Sequence, residues 1–177
     1  LCFSQPVSSP DVKCLAVNPL NGDVTLTWTT PVGPGGFTGY KIFSAPAAAG
    51  PYTLAGTEPV FAQPSFTHIG AGANTSRVYY QVQTEYNPGP VLSAPKDTFS
   101  TIFLNVAVGV GTATLTWNKI SFLPISTSSG WYKIYREYPA AVWTLLDSTQ
   151  NLTYTDIVDV CNTGLSVINY KVEIDDN

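Results

Sequence analysis

One five-residue stretch of this chain occurs twice, and that repeat limits the possible folds more than any other feature. Val24-Thr25-Leu26-Thr27-Trp28 returns as Ala113-Thr114-Leu115-Thr116-Trp117, with a single residue changed. The two tryptophans stand 89 positions apart, from 28 to 117. In each copy apolar side chains alternate with threonines. That is the period of a β-strand with one face buried and the other wet. In a chain of 177 residues such an offset predicts two domains of about 90 residues, each large enough for a modest core.

The offset persists downstream. Tyr40-Lys41-Ile42 returns as Tyr132-Lys133-Ile134, Tyr52-Thr53-Leu54 as Trp143-Thr144-Leu145, and Tyr80-Gln81-Val82 as Tyr170-Lys171-Val172. Strands are predicted over 12–17, 24–28, 40–44, 52–54, 66–68 and 77–84, with an edge strand over 91–95, where proline is tolerated. The second copy repeats six of these seven, over 103–108, 113–117, 131–135, 143–146, 152–156 and 169–174. Leu20-Asn21-Gly22-Asp23 and Asn87-Pro88-Gly89-Pro90 carry turn chemistry, since Asn-Gly accepts positive φ and proline sets it negative. The expected layout is a leader over 1–10, a first domain over 11–96 and a second over 97–177, joined by the short stretch Lys96–Ser100. The second domain is expected to lack its last strand, as a fragment of a longer polypeptide would.

Short strands separated by turns, a tryptophan on the second strand and a tyrosine opening the sixth predict an all-β chain of two immunoglobulin-like sandwiches. That tyrosine, Tyr80 or Tyr170, is expected to turn its hydroxyl onto the backbone of the preceding corner. Trp28, Tyr40, Tyr80, Trp117, Tyr132 and Tyr170 are the predicted core rings.

The pattern resembles tandem fibronectin type III domains. In the first copy the resemblance lies in Val24–Trp28, Gly39-Tyr40-Lys41-Ile42, Tyr80–Thr84 and Ser93-Ala94-Pro95. In the second it lies in Leu115-Thr116-Trp117, Tyr132–Tyr135 and Tyr170–Ile174. Residues 35–42, Gly50–Leu54 and Asp159-Val160-Cys161 are also similar to repeats in large secreted surface proteins of gliding bacteria. Those proteins often end in a gliding-motility-associated sorting domain, which is absent from these residues. The resemblance implies a non-enzymatic segment of a secreted or cell-surface protein, a spacer and adhesion scaffold working beside other domains of its polypeptide. A carbohydrate-binding or accessory module of a secreted polysaccharide-degrading enzyme is the alternative. The fold itself carries many unrelated roles, so function has to be argued from a site.

Composition narrows the field. Charged residues make up 11% of the chain, against roughly 25% in an ordinary soluble domain. The polar surface must therefore come from Thr, Ser, Asn and Gln. With 8 Lys+Arg against 12 Asp+Glu, the clustered cations that a nucleic-acid backbone requires are missing. No apolar run approaches the roughly 20 residues of a membrane-spanning helix.

The glycines of Gly33-Pro34-Gly35-Gly36 lack the Lys-Ser/Thr of a phosphate-binding loop. His68 is the only histidine, and a single strand histidine reads as structural rather than catalytic. Asp156, Asp159, Asp175 and Asp176 read as turn and edge residues rather than a calcium site. No catalytic residue, cofactor or metal site is expected.

Exposed aromatics are the binding candidates. Phe43, Tyr79, Trp131 and Tyr135 lie on strand faces opposite the core, where flat rings can stack on a surface glycan or anchor a protein. Three cysteines leave two readings open. Cys2 and Cys14 form a disulfide that staples the leader, with Cys161 pairing beyond Asn177, or all three are reduced.

Overall fold

The computed structural model describes residues 8–32, 36–87, 91–120, 129–137, 141–158 and 167–174. Every regular element among them is a β-strand. The chain divides into two compact units, with the main break between Thr101 and Ile102.

In the first unit β1 (Asp11–Val17), β2 (Val24–Thr29) and β5 (Ser65–His68) form one sheet in the order β1-β2-β5. The facing sheet runs β4-β3-β6-β7, from β3 (Phe37–Ala45), β4 (Thr53–Glu58), β6 (Tyr79–Tyr86) and β7 (Val91–Leu92). A further two-residue strand, β8 (Phe99–Ser100), also pairs with β6. The alternation in β2 does what its pattern predicts. Val24, Leu26 and Trp28 are buried, and the threonines between them are not. Across the sandwich they meet Tyr40, Ile42, Tyr80, Val82 and Phe99. The Trp28 and Tyr40 rings pack edge to face at 5.0 Å. Burying an aromatic of that size contributes several kcal/mol on area alone.

The turn from β1 to β2 closes through Gly22 N–H to Asn18 O, 2.8 Å, and Asn18 N–H to Asp23 O, 2.8 Å. Gly22 sits at φ +75°, and any side chain there would run into Asn74. Both conditions ask for glycine.

The second unit follows the same plan. β9 (Leu104–Gly109), β10 (Thr112–Trp117) and β13 (Thr153–Ile157) form a sheet in the order β13-β10-β9. β11 (Tyr132–Glu137), β12 (Trp143–Thr149) and β14 (Asn169–Ile174) form its partner, in the order β12-β11-β14. Leu115, Trp117, Tyr132 and Ile134 are the centre of its core, with Trp117 and Tyr132 at 5.6 Å. Tyr170, Val172 and Ile174 are only partly buried, whereas their counterparts Tyr80, Val82 and Thr84 are fully enclosed. Among the described residues this unit has six strands, and β11 is the only one that pairs with β14.

Three local expectations change. The edge strand expected over 91–95 pairs regularly only at Val91–Leu92. Ser93 then turns inward: its N–H donates to Thr84 O at 2.8 Å, and its Oγ accepts from Thr84 N–H at 2.9 Å. Pro95 has no N–H to continue such a ladder.

The chain next rejoins β6 at Phe99–Ser100, so part of the expected linker belongs to the first sandwich. Phe99 is buried in that core. The end of the leader is also tied in. Ser9 and Pro10 are buried, Ser9 Oγ lies 2.8 Å from Ser93 Oγ, and Lys96 pairs with Asp11. The third change, the placement of the tyrosine hydroxyls, bears on function and is described next.

Candidate functional site

The four candidate aromatics divide between the two units. In the first, Phe43 on β3 and Tyr79 on β6 occupy the outer side of their sheet, since Tyr40, Ile42 and Tyr80 take the inner side. Tyr79 carries the Arg77 guanidinium over its ring at 4.5 Å. In the second, Tyr135 lies on the outer side of β11, and Trp131 sits just before that strand, 42% exposed.

Tyr135 belongs to a larger cluster. It is paired across the sheet with Leu145 on β12 and with Lys171 on β14. Lys171 Nζ lies 4.6 Å from the centre of the Tyr135 ring and 5.1 Å from that of Trp143. It also contacts Glu173 at 2.8 Å. Trp143 is 41% exposed and Leu145 49%. At one end of this face Glu137 accepts from Asn169 Nδ2 at 2.7 Å and from Ala141 N–H at 2.6 Å. The Asn169 amide, followed by the Ala141 backbone, holds the Glu137 carboxyl below its ordinary range. The result is an apolar plate with a fixed cation and a fixed carboxylate at its rim.

Trp143 and Lys171 were outside the predicted set. Register could have found them: Phe43 is paired with Leu54 and Gln81, and Tyr135 with Leu145 and Lys171. The two faces are therefore equivalent, with lysine in place of glutamine.

Inside each sandwich lies a polar slot. The hydroxyls of Tyr80 and Tyr170 do not return to the backbone corner. Tyr80 shares a hydrogen bond of 2.9 Å with His68 Nδ1. Tyr170 donates to Asp156 Oδ2 at 2.9 Å, and the same oxygen receives Arg136 Nη1 at 2.8 Å. The sheets meet here, so a side chain from the facing sheet is nearer than the corner.

Burial raises both phenols well above their ordinary value; at Tyr170 the bond to Asp156 adds to this. Burial pushes His68 below its ordinary value, opposed by the charge of Asp23. His68 is thus a neutral partner that positions a core tyrosine.

Beside His68 the first sandwich opens into a cleft of about 230 Å³. Ser44 at the end of β3, Thr53 at the start of β4, and Ser76 and Arg77 ahead of β6 line it. Among the described residues no three His, Cys, Asp or Glu side chains converge as metal ligands would. Of the residues in the two cysteine readings, Cys14 is exposed on β1, while Cys2 and Cys161 lie outside the described residues.

No family model and no curated protein matches the chain. Solved structures similar to it include the central fibronectin-III array of RIM-binding protein, at 13% identity and TM-score 0.43, matched over 98% of this chain and 60% of that one. A two-domain fibronectin type III segment of chicken tenascin has 17% identity and TM-score 0.37, over 94% and 90%. The FN1–FN3 domains of chicken CNTN1 have 13% identity and TM-score 0.41, over 96% and 62%. The chain thus spans about three fifths of the first and third of these structures. The likeness concerns fold alone.

Proposed function

We propose that this chain is a non-enzymatic segment of a larger extracellular or cell-surface protein, in which two sandwiches in series act as spacer and adhesion scaffold. The supporting observation is the duplication of one sandwich plan. Strands β2 and β10 hold equivalent tryptophans against equivalent tyrosines, each pair inside its own core. The sparsely charged, hydroxyl-rich surface suits a secreted module. Large surface proteins of gliding bacteria remain the kind of parent protein that the sequence resembles.

Single-molecule pulling tests the spacer role. Two separate unfolding events are expected, each releasing about 90 residues, or roughly 300 Å of extended chain. A single event releasing the whole chain would overturn it.

A second reading is favoured by the plate of Tyr135, Trp143 and Lys171, which has the composition of a sugar-stacking surface. A glycan array tests it, followed by Trp143→Ala, Tyr135→Ala and Trp131→Ala. Loss of the bound glycan with the first two variants supports stacking on this plate. Glycan binding unchanged in all three removes the reading.

A further inference from the structure

The outer edge of β6 is covered and that of β14 is not. In the first sandwich β7 and β8 both pair with β6 on the side away from β3, and Phe99 of β8 enters the core opposite Tyr80. In the second sandwich β14 takes the place of β6, and among the described residues only β11 pairs with it. Its inward side chains Tyr170, Val172 and Ile174 are accordingly only partly buried.

The opposing sheet is short of cover on the same side. Phe66 of β5 meets β4 at Gly56, so those two edges lie together in the first sandwich and β1 falls on the side of β6 and β7. The same strand order sets β9 on the side of β14 in the second. Val106 and Val108 of β9 are paired with the buried Leu115 and Ala113, so they point inward, yet both are exposed. Their counterparts on β1, Leu15 and Val17, pack against the first core. The seam between β9 and β14 is thus apolar in both layers, and a strand edge of this kind is a template for a further strand.

We propose that this seam joins two copies of the chain, with β14 of one copy running antiparallel to β14 of the other. The sequence of β14 selects that occupant. Pairing about a two-fold axis through Val172 sets Tyr170 opposite the second copy's Ile174, and Lys171 opposite its Glu173. Directly opposed side chains have Cβ atoms roughly 4.5–5.5 Å apart, within reach of an ion pair, and symmetry makes the pair twice. Lys171 and Glu173 share the outer face, where they already meet within one chain at 2.8 Å.

Charge also rejects the neighbouring registers. A slip that keeps the apolar side chains inward moves the strand by two residues. One such slip sets Lys171 against Lys171, and the other sets Glu173 against Glu173. The matched register continues the β12-β11-β14 sheet of each copy into that of the other. Because both copies use the same surface, the contact closes at a dimer and leaves no edge of β14 for a third chain.

Sedimentation velocity of the full chain over a concentration series is the test. A reversible monomer–dimer equilibrium is expected, with amide exchange in β14 slowing as the dimer forms. Lys171→Glu and Glu173→Lys each place like charges opposite one another, and each should weaken the dimer by about tenfold or more. Mixed together, the two variants are complementary again, and a heterodimer of about the original strength should return. Both side chains are part-exposed on the outer face, and the Trp117 indole signal reports folding in each variant. A chain that stays monomeric at every concentration, β14 exchange that ignores concentration, a dimer that both variants leave unchanged, or folded variants that remain apart when mixed would each overturn the proposal.

Discussion

His68 on β5 and Tyr80 on β6 belong to facing sheets, and the 2.9 Å bond between them is a polar link across the first sandwich. Burial depresses the imidazole below its usual 6.5, so the folded state disfavours its protonation. The sign follows from proton linkage. Below pH 6.5 the unfolded chain binds a proton that the folded chain resists. The His68 contribution is therefore present above that pH and is lost as pH falls toward the depressed folded value. Hydrogen exchange of first-sandwich amides should show stability declining through this window. In His68→Gln, which keeps a polar partner for Tyr80 without titrating, the decline should be shallower. Identical pH profiles would remove the link.

The corresponding slot in the second sandwich depends on charge. Asp156 is 5% exposed and receives both Arg136 and Tyr170. Asp156→Asn keeps the shape and removes the charge, leaving Arg136 partly buried without its counter-ion. A loss of about 2–3 kcal/mol is expected for that unit, the scale of a charged hydrogen bond lost from a partly solvated pair. Arg136→Ser combined with Asp156→His transplants the residues of the first sandwich. That double change should cost less than the sum of its single changes, and a double-mutant cycle by urea denaturation measures the coupling. Additive losses would show that the residues act separately.

Trp28 is 2% exposed and Trp117 6%. Trp28→Ala should cost about 3–5 kcal/mol, the range for removing a large core aromatic. Trp117→Ala should cost less, because the strand facing it across the core is only partly buried at Tyr170, Val172 and Ile174. Each loss should appear in one unfolding transition and spare the other. Chemical denaturation followed by assigned amide signals separates the two.

What could be read from the chain beforehand has a physical boundary. The alternation in Val24–Trp28 identifies an inward face because side chains in a strand alternate whatever the strand pairs with. Trp28, Tyr40 and Tyr80 were legible in that way. The partners of the Tyr80 and Tyr170 hydroxyls were not, because they come from the opposite sheet and depend on how the two sheets are set. The same holds for Lys171 over Tyr135, a contact created by cross-strand register. Phe99–Ser100 escaped for another reason: two residues carry no period, and their pairing with Tyr79–Tyr80 is anchored from outside the strand by Thr101, whose Oγ1 accepts from Val78 N–H at 3.0 Å. The open cleft beside His68 likewise depends on register, which sets Ser44 opposite Tyr80 where Arg136 stands opposite Tyr170.

Gly56 gives the sharpest test of packing between the sheets. It lies on β4, and a Cβ built there falls onto the ring of Phe66 on β5. Glycine is needed here for space rather than for its backbone freedom. Phe66 packs against the first core, so its ring cannot yield without opening a gap beside Leu26, its partner across the sheet. Gly56→Ala should therefore destabilise the first sandwich by about 1–3 kcal/mol, the usual cost of overpacking. Phe66→Leu alone should cost a comparable amount through the cavity it leaves. Combined with Gly56→Ala it should cost distinctly less than the two losses together, because the new methyl occupies part of the vacated volume. Thermal denaturation of the four chains closes the cycle. A double variant as unstable as the summed single variants would show that Phe66 is not what excludes a side chain from position 56.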